Sequence, residues 1–235
     1  NRSKKVIEDR QDALKKVIVA FPGREYSGDF LMVWSETLLA LTKEGYQIAL
    51  VNQYSSFVPF ARMKTLGLDV LRGKDQKPFD GKLDYDVWLT IDSDVIFTPK
   101  QIMEIIEDTD KYPVVSGMYR LGTTQYSPVQ EWNTEYFKKN GHFEFMTKDS
   151  IDPNKKYISV AYNGMGLFAC TKEVLESLKY PYFHHPPIEL DLEDGNSIAE
   201  MVSEDVAFCR NIKEAGYDIT VNTNIVVGHE KKLIL

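Results

Sequence analysis

A chain of 235 residues is long enough to form one domain that buries roughly 70 per cent of its unfolded surface, so its stability requires no disulfide or metal staple. A formal net charge of −7 and a pI near 5.2 exclude broad electrostatic capture of nucleic acid, which needs clustered Lys and Arg, although a local basic groove stays compatible. With 43% hydrophobic and 27% charged residues and no run approaching about 18 apolar positions, the composition is that of a globular protein and not of an integral membrane one.

The sequence opens on Asn1-Arg2-Ser3, with neither Met nor a signal peptide, and closes on Leu233-Ile234-Leu235, as a piece of a longer protein would. Residues 1–15 alternate charge and apolar positions at helical spacing, which predicts a leading helix or linker before a domain over 16–235. Lys16 to Phe21 is a β-branched run stopped by Pro22-Gly23, a buried first strand ending in a loop. Ser27 caps a helix predicted from Asp29 to about Lys43, Gly45 stops it, and a second strand follows from Tyr46 to Asn52. A shorter helix spans Pro59 to Leu66, a third apolar strand runs from Tyr85 to Ile91, and Thr98-Pro99 opens the next helix with an N-cap and a proline at its first position. In the second half, strands are predicted at Pro113 to Tyr119, Tyr126 to Trp132, Phe143 to Met146 and Tyr157 to Ala169, with a helix near Lys172 to Leu178. Prolines, histidines and acids between Tyr180 and Met201 predict a mobile loop that could close over a ligand. The fold expected is α/β: a mainly parallel sheet with helices on both faces and a smaller mixed region on the acceptor side.

Asp-x-Asp occurs three times, at 84/86, 92/94 and 108/110, so the pattern alone decides nothing. Only Asp92-Ser93-Asp94 lies between two apolar runs, at the carboxyl end of a buried strand, where open α/β sheets bind ligands. Carboxylates there are costly unless paired or bound to a cation, and a hard divalent ion bridging to a diphosphate would use them. The plainer reading is that both acids cap the turn. His229 ends a further apolar strand, Ile225 to His229, and its imidazole suits an Mn²⁺-like ion if both strands share one sheet. Ser203-Glu204-Asp205 heads a helix that ends at Gly216; the acids either complement the helix dipole or make Asp205 a general base. Cys170 and Cys209 have no zinc or redox spacing, read as reduced core thiols, and fit a cytoplasmic setting.

The ordered segments LTIDSDVIF, NGMGLFACTKEV and SEDVAFCRNIKEAGYDITVNTNIVVGHE make the chain resemble GT-A (Rossmann-like) glycosyltransferases of the family-2-like, inverting kind, from about Lys16 to Lys231. The resemblance implies Asp94 and His229 on the metal, Asp92 on the metal or the ribose, Asp205 as base and Glu204 beside it on acceptor or donor sugar. By the same likeness the loop Pro22, Gly23, Arg24, Tyr26 and the adjoining Ser93 would hold the nucleotide. That loop departs from the commoner Pro-Thr-Tyr-Asn form, so Arg24 and Tyr26 are either base contacts or a surface Arg and a turn Tyr. Asn52 to Ser56 ends the second strand and could reach the ribose, and Arg62 could pair with either a phosphate or Asp92. Asn163, Gly164, Met165 and Gly166 would line the donor sugar or form a simple turn. Trp132, Tyr136 and Phe137 either stack on a flat acceptor or belong to the core. The short form and the phrases FPGREYSGDF and LRGKDQKPF also look like glycosyltransferases of bacteriophages and large DNA viruses, which would place the protein in a host cytoplasm. The cofactors implied are Mn²⁺ or Mg²⁺ and a nucleotide-sugar, UDP-linked by family frequency. The acceptor would be a hydroxyl of a glycan, a protein or a modified nucleic-acid base. Two rivals share the site chemistry: a sugar-nucleotide nucleotidylyltransferase, and a non-catalytic carbohydrate-binding protein of the same fold.

Overall fold

The computed structural model describes residues 15–231, so nearly all of the predicted leading segment lies outside the described residues. Ten strands and six α-helices are described: β1 Lys16–Pro22, α1 Gly28–Glu44, β2 Gln47–Gln53, α2 Val58–Thr65, β3 Val87–Ile91, β4 Val95–Ile96, α3 Pro99–Asp108, β5 Val114–Tyr119, α4 Thr134–Asn140, β6 Tyr157–Val160, β7 Leu167–Thr171, α5 Lys172–Ser177, β8 Pro187–Asp191, β9 Ser197–Met201, α6 Glu204–Glu214 and β10 Ile219–His229. No described helix is long and apolar enough to cross a membrane.

Eight strands form one mixed sheet in the order β2-β1-β3-β7-β5-β10-β4, with β6 also on β10. β2, β1, β3, β5 and β10 run the same way; β7, β6 and β4 oppose them. The period-2 alternation of the strands separates the two faces. Val17, Val19 and Phe21 of β1 join Val87, Leu89 and Ile91 of β3 under α1 and α3, while Ile18, Ala20 and Trp88 face the opposite core with residues of α2, α5 and α6. Helices therefore cover both faces, as the apolar strand runs required.

The predicted helix ends hold where a side chain supplies the cap. Ser27 accepts from the Phe30 amide, and Gly45 adopts the left-handed conformation that ends α1. Thr98 and Gln101 form a capping box at α3.

Three expectations fail. Residues 126–132 and 143–146 are not strands: Tyr126 and Val129 make single bridges to Arg120 and Tyr162, residues 143–146 make none, and Trp132, Phe137, Phe143 and Tyr162 pack as an aromatic cluster instead of along a ladder. The connection between them forms α4, whose Asn133 side chain accepts from the Tyr136 amide. The segment 180–201 is not irregular either. Tyr182 and Phe183 are fully buried, and β8 and β9 pair as a hairpin with Ile188, Leu190 and Ile198 facing inward. There period-2 alternation outweighed the loop-like composition.

Candidate functional site

The codirectional strands deliver their carboxyl ends to one edge, and the antiparallel β7 begins there. The turn after β3 is closed by the Val95 amide on the Asp92 carbonyl at 3.2 Å, and the Asp92 amide donates to the Gly166 carbonyl at 3.0 Å. The short β4 then runs antiparallel to the end of β10, pairing Val95 with His229, and the Glu230 amide donates to the Asp94 carbonyl at 2.7 Å. Two distant segments, Asp-x-Asp and Gly-His, are thereby registered against each other by backbone bonds alone.

The side chains follow. His229 Nε2 lies 3.0 Å from Asp94 Oδ2, and its Nδ1 lies 3.1 Å from the Arg120 carbonyl oxygen. Asp94 is half exposed, at 49%, and lines a cleft of about 970 Å³ together with Pro22, Gly23, Arg24, Tyr26 and Ser93. Carboxylate and imidazole form a mixed O/N donor pair suited to an Mn²⁺-like ion. The Nδ1 contact orients the ring as backbone carbonyls orient ligating histidines. Among the described residues no group of three His, Cys, Asp or Glu could hold a metal. An ion on this pair would have to take its remaining ligands from substrate and water, as happens where phosphates share the coordination.

Asp92 is turned away from that pair. Its two oxygens accept from Arg62 Nη1 at 2.8 Å and Nη2 at 3.1 Å, and Arg62 Nε donates to Glu204 Oε1 at 3.0 Å. Asp92 is thus a partner of Arg62, which is only 5% exposed, the second of the two pairings its position allowed. Burial alone would lower the Arg62 pKa, but the Asp92 and Glu204 carboxylates outweigh it and hold the guanidinium above its ordinary value. Glu204 likewise faces Arg62.

Asp205, next in the chain, points elsewhere. Its Oδ2 accepts from the Tyr162 hydroxyl at 2.9 Å, and its Oδ1 accepts from the Val206 amide at 3.0 Å and from the Ser203 hydroxyl. Ser203 therefore spends its hydroxyl on Asp205 instead of capping α6. Burial first and the Glu204 charge second raise the Asp205 pKa; the bonds from Ser203 and Tyr162 and the Arg62 charge work against the rise. A carboxylate so placed is more basic than a free aspartate. Tyr119 stands between the two acidic groups: its ring packs edge-on to His229 with centroids 4.9 Å apart, and its hydroxyl overhangs Gly164.

The loop and turn residues resolve differently from expectation. Asn52 Nδ2 lies within 2.9 Å of the Phe21 carbonyl, the Gly23 carbonyl and the Tyr26 hydroxyl, so it braces the first loop. Tyr26, whose pKa burial pushes up to about 12, donates to the Gly23 carbonyl at 3.0 Å while lining the cleft. Arg24 stacks over Tyr54 at 5.0 Å, and an added Cβ at Gly23 would lie 3.0 Å from Ser93 Cβ, so this loop closes directly onto the acidic turn. Asn163 and Met165 are core residues: Asn163 Nδ2 donates to Ser116 Oγ at 2.8 Å and to the Gly117 carbonyl at 2.7 Å. An added Cβ at Gly164 or Gly166 would collide with the Tyr119 side chain.

Gly164→Ala is expected to destabilise the fold by about 1–3 kcal/mol, since its methyl would collide with the Tyr119 hydroxyl. Thermal melts should show part of that loss recovered in the double variant with Tyr119→Phe. Trp132 is 37% exposed, with the Arg210 guanidinium 5.3 Å from its ring centroid and the Tyr162 ring 6.1 Å away, whereas Phe137 is buried and Tyr136 packs on His142.

Tyr119, Tyr162 and Lys231 were missed by sequence reasoning. The first two end or border apolar runs and read as ordinary core; only the position of Lys231, two residues beyond His229, offered a signal.

No family model matches the chain, and no curated protein matches it. Solved structures with similar chain traces include a mycobacterial protein, at 13% identity over 95% of this chain and 70% of that one with a TM-score of 0.46. Another is 4-diphosphocytidyl-2C-methyl-D-erythritol synthase from Anaerococcus prevotii, at 15% identity over 94% of this chain and 90% of that one with a TM-score of 0.41. Likenesses this distant support no statement about activity.

Proposed function

We propose that the chain is a glycosyltransferase that moves a sugar from a nucleotide diphosphate sugar, UDP-linked in our reading, to an acceptor hydroxyl with inversion. The observation that carries this reading is the pairing of Asp94 with His229 beside an open cleft, with the half-buried carboxylate of Asp205, its pKa raised, beyond the Tyr119 ring. A divalent ion on that pair would neutralise the departing diphosphate. The residues supply the rest. The Pro22 to Tyr26 loop and Ser93 wall the nucleotide cleft. Asp205 takes the acceptor proton as the acceptor oxygen bonds to the anomeric carbon and the bond from that carbon to the diphosphate oxygen breaks. Tyr162 and Ser203 hold the Asp205 carboxylate in place, and Arg62 keeps Asp92 and Glu204 neutralised beneath the site.

Nucleotidylyl transfer would use the same acidic turn on a nucleoside triphosphate. The first loop is short and carries one glycine beside Arg24, where such enzymes have a longer Gly-rich, Arg-containing loop.

The test incubates the protein with a panel of nucleotide sugars, with and without Mn²⁺, and follows nucleoside diphosphate release by slow donor hydrolysis. Release from one donor, lost on omitting Mn²⁺ and in Asp94→Ala, is the expected result. Pyrophosphate release from a nucleoside triphosphate and a sugar phosphate would instead favour nucleotidylyl transfer, and sugar binding without any turnover would favour a carbohydrate-binding role.

A further inference from the structure

The proposed transfer leaves three acceptors open, a glycan, a protein and a modified nucleic-acid base, and the surroundings of Trp132 distinguish them. Backbone bonds tie the segment that carries Trp132 to the residues after β6: the Val129 amide donates to the Tyr162 carbonyl at 2.9 Å, and the Ala161 amide to the Gln130 carbonyl at 3.0 Å. The Trp132 and Tyr162 rings lie beside each other, with centroids 6.1 Å apart, and the Tyr162 hydroxyl donates to Asp205 at 2.9 Å. One tyrosine therefore joins the proposed base to an indole that is 37% exposed, whereas the other two tryptophans of the chain, Trp34 and Trp88, are buried. The Arg210 guanidinium lies over the Trp132 ring, 5.3 Å from its centroid, and helps to fix it.

Trp132 lines two spaces. The larger, about 750 Å³, sets the polar groups of Gln130, Glu131, Glu144, Thr147 and Ser150 beside the indole. The smaller, about 90 Å³, is apolar, with Phe137, Phe143, Ile188 and Leu190 in its lining. Among the described residues no Lys or Arg lines the larger space, while Glu131, Glu135 and Glu144 do. Nucleic acid needs cations at its phosphates and would be repelled there. A peptide that docks in extended form adds to a sheet edge, and neither 130–133 nor 144–146 is a strand. A sugar matches what is offered. Its ring carbons turn C–H groups to an indole, and its hydroxyls donate to carboxylates and bond amides and hydroxyls. Glu144 accepts from Asn133 and Glu135 pairs with Lys138, but Glu131 is exposed and has no partner among the described residues, which leaves its carboxylate open to a ligand hydroxyl.

We infer that this space is the acceptor subsite and that the acceptor is a neutral glycan, packed on Trp132 and bonded to Glu131, with its reacting hydroxyl presented to Asp205 beside Tyr162. The inference rests on the reading of Asp205 as the base of a glycosyl transfer.

The test measures binding to the full chain of four neutral trisaccharides, cellotriose, maltotriose, mannotriose and chitotriose, with a hydroxymethylated single-stranded oligonucleotide and a Ser/Thr-rich peptide as comparators. Because Trp132 is the exposed tryptophan, a bound trisaccharide should change the intrinsic fluorescence of the wild type. Calorimetry then compares variants. Affinity for that trisaccharide should fall about tenfold or more in Trp132→Ala and about fivefold in Glu131→Ala, the loss of one ring contact and of one hydrogen bond. Glu131→Ala removes an exposed, unpartnered side chain and should melt with the wild type, so its weaker binding cannot be ascribed to unfolding. Binding of no trisaccharide, equal affinity in the wild type and both variants, or binding of the oligonucleotide or peptide in their place would overturn the glycan assignment. Trisaccharide binding that depends on Trp132 and Glu131, in a protein that releases no nucleoside diphosphate from any donor, would overturn the transferase reading beneath it instead.

Discussion

Arg62→Met is expected to destabilise the protein by about 3–5 kcal/mol, the usual cost of removing one partner from a buried ion network. The guanidinium is 5% exposed and makes three charge-assisted bonds, two to Asp92 and one to Glu204. Without it, two carboxylates remain close together with little water and no counter-charge. The loss should therefore be recovered in large part by Arg62→Met combined with Asp92→Asn and Glu204→Gln, which removes the charges that Arg62 neutralises. Arg62→Lys keeps the charge but loses the fork, and should fall between wild type and Met. Denaturant unfolding of the four proteins checks this. If the triple variant were as unstable as the single one, lost packing rather than stranded charge would explain the effect.

Arg62 also illustrates what the sequence could and could not say. Its pairing with Asp92 was one of two options legible from a helix following the second strand, yet the third bond, to Glu204, joins residues 142 positions apart and leaves no local trace. Local rules recovered what is local: Ser27 and Thr98 as caps, Gly45 as a stop, and the apolar runs of β1 and β3 as doubly buried strands. The meeting of Asp94 with His229 followed once both were placed at strand ends of one sheet, and the antiparallel β4 to β10 pairing supplies the register. The roles of Asn52, Asn163 and the 164–166 turn did not follow. A polar or small residue at a strand end serves a ligand or its own backbone equally well, and only the identity of the neighbour distinguishes the two. For Gly164 and Gly166 that neighbour is Tyr119, more than forty residues earlier in the chain. The hairpin of β8 and β9 was hidden for a different reason: its prolines and acids signal a loop, and its alternation is carried by only a few inward residues.

Asp205→Asn is expected to lower the transfer rate by about 10²–10⁴-fold, the contribution of a positioned general base, while leaving nucleotide binding intact. The substitution is nearly isosteric, and the amide oxygen can still accept from the Val206 amide and the Ser203 hydroxyl, so the site should keep its shape. The raised Asp205 pKa sets the sign of two pH effects. First, only the ionised carboxylate accepts a proton, so kcat/KM in the wild type should rise with pH along a limb lying above the ordinary aspartate range. Second, the folded state favours the neutral carboxyl more than the unfolded chain does. Its contribution to stability is therefore complete below the unfolded pKa and is lost as pH rises through the folded one. Asn carries no such titration, so the melting temperature of Asp205→Asn relative to wild type should increase from acidic to neutral pH while its activity stays low. A variant that becomes relatively more stable over the pH range where the wild type becomes active is the signature of a base held at a cost to the fold. Unchanged turnover in Asp205→Asn would remove Asp205 from the mechanism, and a relative melting temperature that fell with pH would show that its carboxylate is stabilised, not strained, by its surroundings.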